Sequence, residues 1–556
     1  MPHRASPWLP KSVLALRHYT PETFRHDVIA GVTVGLVALP LAMAFAIASG
    51  LTPQAGIYCA IVTGFIISAL GGSRTQIGGP TGAFVVVVAN IIATYGISGL
   101  FMCTMMAGVM LILLGVTGMG SAVKFIPRPV VVGFTNGIAV LIASTQIRDF
   151  LGLRQFENTG DFLGRMSALA AHWQTASAAA IGLAVASIVV IMIVNKWGRG
   201  VPGTIVALVA GTAAVWMFGL DVETINSRFG GVPGGLPTFA VPEFKVDLVL
   251  KLLSPAVTVA MLGALESLMS AVVADRMSGD RHNPNVELVA QGLANVVSPL
   301  FGGLPATGAI ARTATNIRSG ARTPVAGIVH AITLLIILLS GAKLAGHIPI
   351  PVLAAILLTV AYRMGEWSEI GAILRQTKAD IAVWIATFSL TVLADLTVAV
   401  EVGMVLAALL FIRRVATTTT VARVTNESLI EARAHALHDK RIPDYVAMYR
   451  IHGPFLFGAT DKIQRVIDDL PKLPRIVILR MRNMTALDGT GLRALEDLAE
   501  RTRASGRTVI FCGAREQPRA MMQQSGFSNH VGAENICPHA EAALIRAADV
   551  HGAQSA

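Results

Sequence analysis

Apolar blocks long enough to cross a bilayer recur along this chain from Val28 to about Arg414, and no other feature constrains its fold as strongly. A membrane-spanning helix needs about 20 predominantly apolar residues. Blocks of that size lie at 28–49, 99–118, 130–147, 178–195, 201–219, 254–274, 323–344, 379–396 and 398–412. Shorter blocks, interrupted by Gly or Pro, lie at 55–70, 80–95, 285–301, 308–318 and 350–362. The pattern predicts an α-helical polytopic membrane protein of about fourteen membrane elements. Charged residues are only 14% of the chain, against roughly 25% in soluble domains, in keeping with a lipid environment.

The formal net charge of +11 raises the question of nucleic acid. The basic residues answer it, because they sit between apolar blocks and not along one face of a compact domain. With a cytoplasmic N-terminus, alternate connections hold Arg74, then Lys124 and Arg128, then Lys196 and Arg199. The series continues with Arg276 and Arg281, Arg318 and Arg322, Arg363, Arg375 and Lys378, and Arg413 and Arg414. Retention of Lys and Arg on the cytoplasmic side then places both termini inside. Residues 1–26 lack a signal-peptide pattern, so they read as a cytoplasmic segment and the first block as a retained helix. Cys59, Cys103, Cys512 and Cys537 show neither CxxC nor metal spacing. No nucleophile triad, phosphate loop or metal cluster appears, and the expectation is not an enzyme, with no cofactor and no metal.

Past Arg414 the character changes. The membrane domain is expected over 27–414, a polar linker over 415–443 and a small α/β domain over 444–550. In that last part Tyr445–Phe457, Ile476–Met481 and Thr508–Cys512 read as strands, with helices at 459–470, 490–504 and 515–525.

An internal repeat points to a site. Thr81-Gly82-Ala83 is followed by Asn90, and Thr307-Gly308-Ala309 by Asn316, at the same spacing. Each copy is approached through Gly and Pro, Gly78-Gly79-Pro80 in one and Gly302-Gly303-Leu304-Pro305 in the other. These are the third and tenth elements, so the two halves form a 7+7 inverted repeat. Two short helix starts facing each other in mid-membrane offer free N–H groups and positive dipole ends to an anion. Small residues at the same places would also serve close helix packing.

Charges inside the apolar elements need a reason. Arg312, in the run Ala309-Ile310-Ala311-Arg312, either attracts the anion or closes an ion pair. Glu266 lies in Met261-Leu262-Gly263-Ala264-Leu265-Glu266-Ser267, with no basic residue in the two preceding turns. It is a candidate to carry a coupling proton, to help hold sodium, or to pair with Arg312. Phe45, beside the intrahelical Pro40, lines the site or packs. Asn136 and Gln146 read as bridges between helices.

Several stretches resemble the sulfate permease (SulP/SLC26) family. They are Ala38-Leu39-Pro40-Leu41-Ala42-Met43-Ala44-Phe45-Ala46 with Pro53-Gln54-Ala55-Gly56-Ile57-Tyr58, then Gly71-Gly72-Ser73-Arg74 before Gly79-Pro80-Thr81. Gly133-Phe134-Thr135-Asn136-Gly137-Ile138 and Ile310-Ala311-Arg312-Thr313-Ala314-Thr315-Asn316 are similarly typical. The resemblance covers roughly 20–545. It implies the seven-plus-seven transporter fold, an elevator-like cycle, a homodimer, and a substrate site at Thr81, Gly82, Ala83, Ala309, Ile310, Ala311 and Arg312. Glu266 inherits an acidic position of the eighth helix. The runs Ala260–Leu268 and Asn285–Gly292 resemble the bacterial C4-dicarboxylate carriers.

The tail resembles a STAS domain. Leu487-Asp488-Gly489-Thr490-Gly491 stands where related domains carry an Asp-Ser-Ser-Gly loop with a phosphorylated hydroxyl. Thr490 keeps a hydroxyl there, as a regulatory site or as a helix cap. A cytoplasmic partner of this domain is implied.

The expected activity is secondary transport of a small anion across the bacterial inner membrane, as a proton-coupled symport of dicarboxylates such as succinate or fumarate. A sodium-coupled bicarbonate or sulfate carrier stays open, as does a channel or a STAS-linked sensor. Nucleobase permeases share the fold, but they do not usually carry a STAS tail, and a second acidic residue is missing from the tenth element.

Overall fold

A computed structural model of the chain describes residues 8–17, 19–120, 127–153, 162–197, 202–231, 235–394, 396–424 and 442–555. Lys124, Arg199 and residues 425–441 of the expected linker lie outside the described residues. The chain divides into two compact units, Met1–Val405 and Leu406–Ala556.

The first unit is helical. Its elements run α1 (Lys11–Leu16), α2 (Pro21–Ala48), α3 (Pro53–Leu70), β1 (Gly78–Gly79), α4 (Ala83–Val116), α5 (Arg128–Leu151), α6 (Phe162–His172), α7 (Ala178–Trp197) and α8 (Gly203–Phe218). They continue with α9 (Ile225–Phe229), α10 (Val246–Ser278), α11 (Pro284–Val297), β2 (Thr307–Gly308), α12 (Ile310–Arg318), α13 (Val325–Ala345), α14 (Ile350–Met364), α15 (Trp367–Ile373), α16 (Lys378–Leu393) and α17 (Leu396–Thr418), which begins in the first unit and ends past Val405. Eight of the described helices are long and apolar enough to cross a membrane.

Local chemistry sets several of the starts. Pro21 opens α2 behind Thr20, whose hydroxyl accepts from the Thr23 N–H at 3.2 Å. Pro284 opens α11 behind Asn283, whose side chain accepts from Asn285 and Val286 N–H. Proline at a first helical position costs nothing, since its missing N–H would have no intrahelical partner. The blocks expected at 80–95 and 99–118 join in a single element, α4, which is kinked at Gly96, whose φ of 71° and ψ of −177° are open to glycine. Counting that break, the elements match the expected series. α1, α6, α9 and α15 are additions to it, being short helices outside the expected blocks.

Two groups of helices emerge. α4 packs on α10 and α11, and α2 on α3 and α13. α5 packs on α14, α16 and α7. Buried carboxylates tie the first group at its turns. Asp27 of α2 accepts from the Arg322 and Thr323 N–H groups at 2.8 and 3.1 Å and from the Thr323 and Tyr19 hydroxyls. Glu287 of α11 accepts from the Gly72 and Ser73 N–H groups at 2.9 and 3.1 Å.

The second unit holds a five-stranded sheet in the order β3 (Thr420–Val424), β4 (Val446–Phe455), β5 (Ile476–Leu487), β6 (Thr508–Cys512), β7 (Ile536–Cys537). β3 runs antiparallel to β4, and the other pairs are parallel. Helices Asp461–Asp469, Gly489–Ala504 and Glu516–Gln524 connect the parallel strands over a core that includes Phe455, Phe511 and Phe527. The final helix, Ala540–Ser555, covers Ile478, Ile510 and Cys512 on the other face. β5 outruns the expected Ile476–Met481, because its far half alternates polar residues (Arg482, Asn483, Thr485) with buried Met484 and Leu487.

Candidate substrate site

The two helix starts meet through backbone. β1 and β2 pair antiparallel, Gly78 with Gly308 and Gly79 with Thr307, and the Ala309 N–H donates to the Ile77 carbonyl at 2.8 Å. Gly82 precedes α4 and Ala309 precedes α12, and neither residue caps its helix with a side chain. In α4 the Phe84 and Val85 N–H groups donate to the Thr81 and Gly82 carbonyls at 3.3 and 3.1 Å, so the donors turned to a ligand are the Ala83 N–H and the first-turn N–H groups of α12.

Arg312 reaches back from α12 to this crossing. It is 2% exposed, its Nη2 donates to the Pro80 carbonyl, and its Nη1 has no hydrogen-bond partner among the described residues. Gly79 makes room for it: a Cβ there would lie 2.4 Å from Nη1, and the backbone φ is +149°. A buried guanidinium nitrogen with no acceptor is a strong donor awaiting one.

Glu266 sits half-buried on α10, and its Oε2 accepts from the Thr81 hydroxyl at 3.0 Å. No ion pair joins it to Arg312, so the pairing alternative is not realised. Phe45 stands over Gly82, where an added Cβ would lie 3.3 Å from its ring. Thr81, Gly82, Phe45, Glu266 and Arg312 are thus tied to one place by direct contacts. Ala83 and Ala309 are buried in the helix starts, whereas Ile310 and Ala311 are exposed.

The matched triplets are not structurally equivalent. Thr307 lies in β2, fully buried, its hydroxyl donating to the Gly263 carbonyl at 3.1 Å and bonded to Ser267 at 2.7 Å. It props the strand, whereas Thr81 faces Glu266. The helix starts align Ala83 with Ile310, so the repeat slips by one residue against the sequence match.

Sequence reasoning missed the network behind the site. The Gly308 N–H donates to Ser267 Oγ at 3.1 Å, Gln76 Nε2 to the Ser267 carbonyl at 3.1 Å, and Ser270 Oγ to Thr313 Oγ1 at 3.1 Å. Gly263, Glu266, Ser267 and Ser270 follow the helical spacing i, i+3, i+4, i+7, a polar stripe on an apolar helix that could have revealed it. Asn136 bridges helices as expected, accepting from Trp384 Nε1 at 3.2 Å. Gln146 instead bonds within its own helix, its Nε2 donating to Thr145 Oγ1 at 2.8 Å. Thr490 is exposed, and the cap of Gly489–Ala504 is Asp488, which accepts from the Gly491 N–H at 2.7 Å.

The model of the sulfate permease family matches residues 24–387. The chain belongs to the sulfate permease family. A STAS domain matches at 438–543. "Putative sulfate transporter YvdB" of Bacillus subtilis (strain 168) is 42% identical, over 94% of this chain and 97% of that protein. Bicarbonate transporter BicA of Synechocystis is 33% identical over 90% of each. The solved transmembrane domain of a cyanobacterial BicA covers 70% of this chain and 98% of its own at 33% identity, with a TM-score of 0.61. Murine Slc26a9 shares the fold, with a TM-score of 0.86 over 98% of this chain and 94% of its own at 16% identity. Sulfate permease family members are anion transporters embedded in membranes, and this one is a transporter, not an enzyme.

Proposed function

We propose that this sulfate permease family member is a proton-coupled secondary carrier of small dicarboxylates such as succinate or fumarate. It works as a homodimer in the bacterial inner membrane with both termini cytoplasmic. The helices that carry the site, α2–α4 and α10–α13, move in an elevator-like manner against α5, α7, α14 and α16. The observation that carries the reading is Arg312 Nη1, a buried donor without a partner beside two uncapped helix starts.

Coupling follows from the single hydrogen of the Thr81 hydroxyl. An ionised Glu266, 3.0 Å from the Thr81 hydroxyl, accepts that hydrogen. A protonated Glu266 becomes a donor itself, and Thr81 then accepts from it and turns its own hydrogen toward the anion. Proton and anion thereby favour each other's binding, which is the condition for symport.

The names of the relatives support sulfate or bicarbonate as the anion, and a second reading makes the chain a sodium-coupled carrier of one of these, with Glu266 helping to hold the cation. Uptake of labelled succinate, fumarate, sulfate and bicarbonate into proteoliposomes, under imposed proton or sodium gradients, separates the two. Proton-driven dicarboxylate uptake that Glu266→Gln uncouples supports the first. Sodium-driven bicarbonate or sulfate uptake replaces it with the second. Uptake that neither saturates nor runs against a gradient would sink both and leave a channel or a sensor.

A further inference from the structure

Gly82 is crowded from one side by apolar groups of three helices. A Cβ placed on it would lie 3.0 Å from Ile142 Cδ1, 3.3 Å from Met364 Sδ and 3.3 Å from Phe45 Cε1. Phe45 belongs to α2, which travels with the site. Ile142 comes from α5 and Met364 is the last residue of α14, and those helices carry neither Glu266 nor Arg312. Ile142 is fully buried and Met364 half-buried. Gly82 directly follows Pro80, whose carbonyl accepts from Arg312, and Thr81, whose hydroxyl donates to Glu266, so these apolar groups adjoin the polar groups of the site, Arg312 Nη1 among them, and the two sets are the walls of the seat proposed for the anion.

We infer that Ile142 and Met364 set the size and character of the anion that this seat accepts. The inference rests on the carrier reading above. An anion that satisfies the donors must present its far side to Ile142, Met364 and Phe45. A sulfate ion carries charge on every face and loses hydration against that wall without compensation. A dicarboxylate in a folded pose turns both carboxylates to the polar side and lays only its methylene chain against the wall. Met364 has an unbranched side chain that adapts to fill the space left, so its truncation lengthens the seat.

The test is uptake of malonate, succinate, glutarate, sulfate and bicarbonate by wild type, Met364→Ala, Ile142→Ala and Met364→Leu in proteoliposomes. Met364→Ala is expected to raise kcat/KM for glutarate relative to malonate by about tenfold or more, the range that one methylene commands in an apolar pocket. Ile142→Ala shifts the ratio the same way, and Met364→Leu, which conserves volume, keeps it within about twofold of wild type. Met364→Cys gives a readout independent of turnover. The native cysteines are all buried, and glutarate should slow maleimide labelling at position 364. Uptake that persists with an unchanged ratio, or labelling indifferent to every anion, overturns the inference while leaving the carrier reading intact. A wild-type protein with no saturable uptake of any anion removes the carrier reading, and this inference falls with it.

Discussion

The Thr81 hydroxyl donates to Glu266 Oε2 at 3.0 Å, joining the loop before α4 to α10 across 185 sequence positions. One hydrogen bond thus connects the anion seat with the carboxyl assigned to coupling.

Thr81→Val preserves shape and removes that hydrogen. Hydrogen bonds to charged groups contribute about 1.5–3 kcal/mol, so kcat/KM should fall roughly 10- to 100-fold. Thr81→Ser should retain most of the rate. Initial rates of uptake decide it, and a valine variant at wild-type rate would remove Thr81 from the mechanism.

Gly79→Ala places a methyl 2.4 Å from Arg312 Nη1 on a backbone at φ +149°. Strain of about 1–3 kcal/mol is expected, relieved by displacing the guanidinium. Its uptake should fall as far as that of Arg312→Gln, with the protein still inserted. A Gly79→Ala protein with normal uptake would show that the position of Arg312 is immaterial.

Asp27 is fully buried and accepts from Arg322, Thr323 and Tyr19. Asp27→Ala leaves these donors without an acceptor and should lower stability by about 3 kcal/mol or more. Thermal unfolding in detergent measures it.

Tyr19, at the mouth of α2, has its phenol pushed up to about 12, by burial first and then by the charge of Asp27. A folded-state value above the unfolded one of about 10 means the contribution to stability is complete below pH ~10 and is lost as pH rises through 12. Ultraviolet titration should show Tyr19 ionising late among the six tyrosines, beside Tyr449, which burial also pushes up, and Tyr19→Phe should remove its share of the late step.

In the STAS domain, Asp488 accepts from Gly491 at 2.7 Å and from the Phe457 N–H at 3.0 Å. Asp488→Ala should cost about 1–2 kcal/mol as a lost cap. Thr490→Ala, at an exposed position, should stay within about 0.5 kcal/mol. Chemical denaturation of the two variants compares them, and the reverse order would return the cap to Thr490.

The charged members of the site are legible in the sequence, because Glu266 and Arg312 stand out in apolar runs and a charge in lipid needs a purpose. Phe45 is legible through Pro40 and its neighbours. The Thr81–Glu266 bond is not, since nothing local brings residues so distant into contact. The repeat is visible but its register is not, because a Thr-Gly-Ala match cannot tell a strand residue from one at a helix start. Ile142 and Met364 are invisible, being apolar residues in apolar helices whose role depends on what they face. β3 escapes notice because Thr420–Val424 is an exposed edge strand in a polar stretch.

The two-residue pairing of β1 with β2 has a mechanical meaning. Drawing one helix start away from the other would strip buried backbone groups of their partners. The floor of the seat is thereby riveted from both halves of the repeat. In the elevator-like cycle proposed above, a cargo resting on it is exposed as the wall opposite draws away, with the floor and its passenger travelling as one piece.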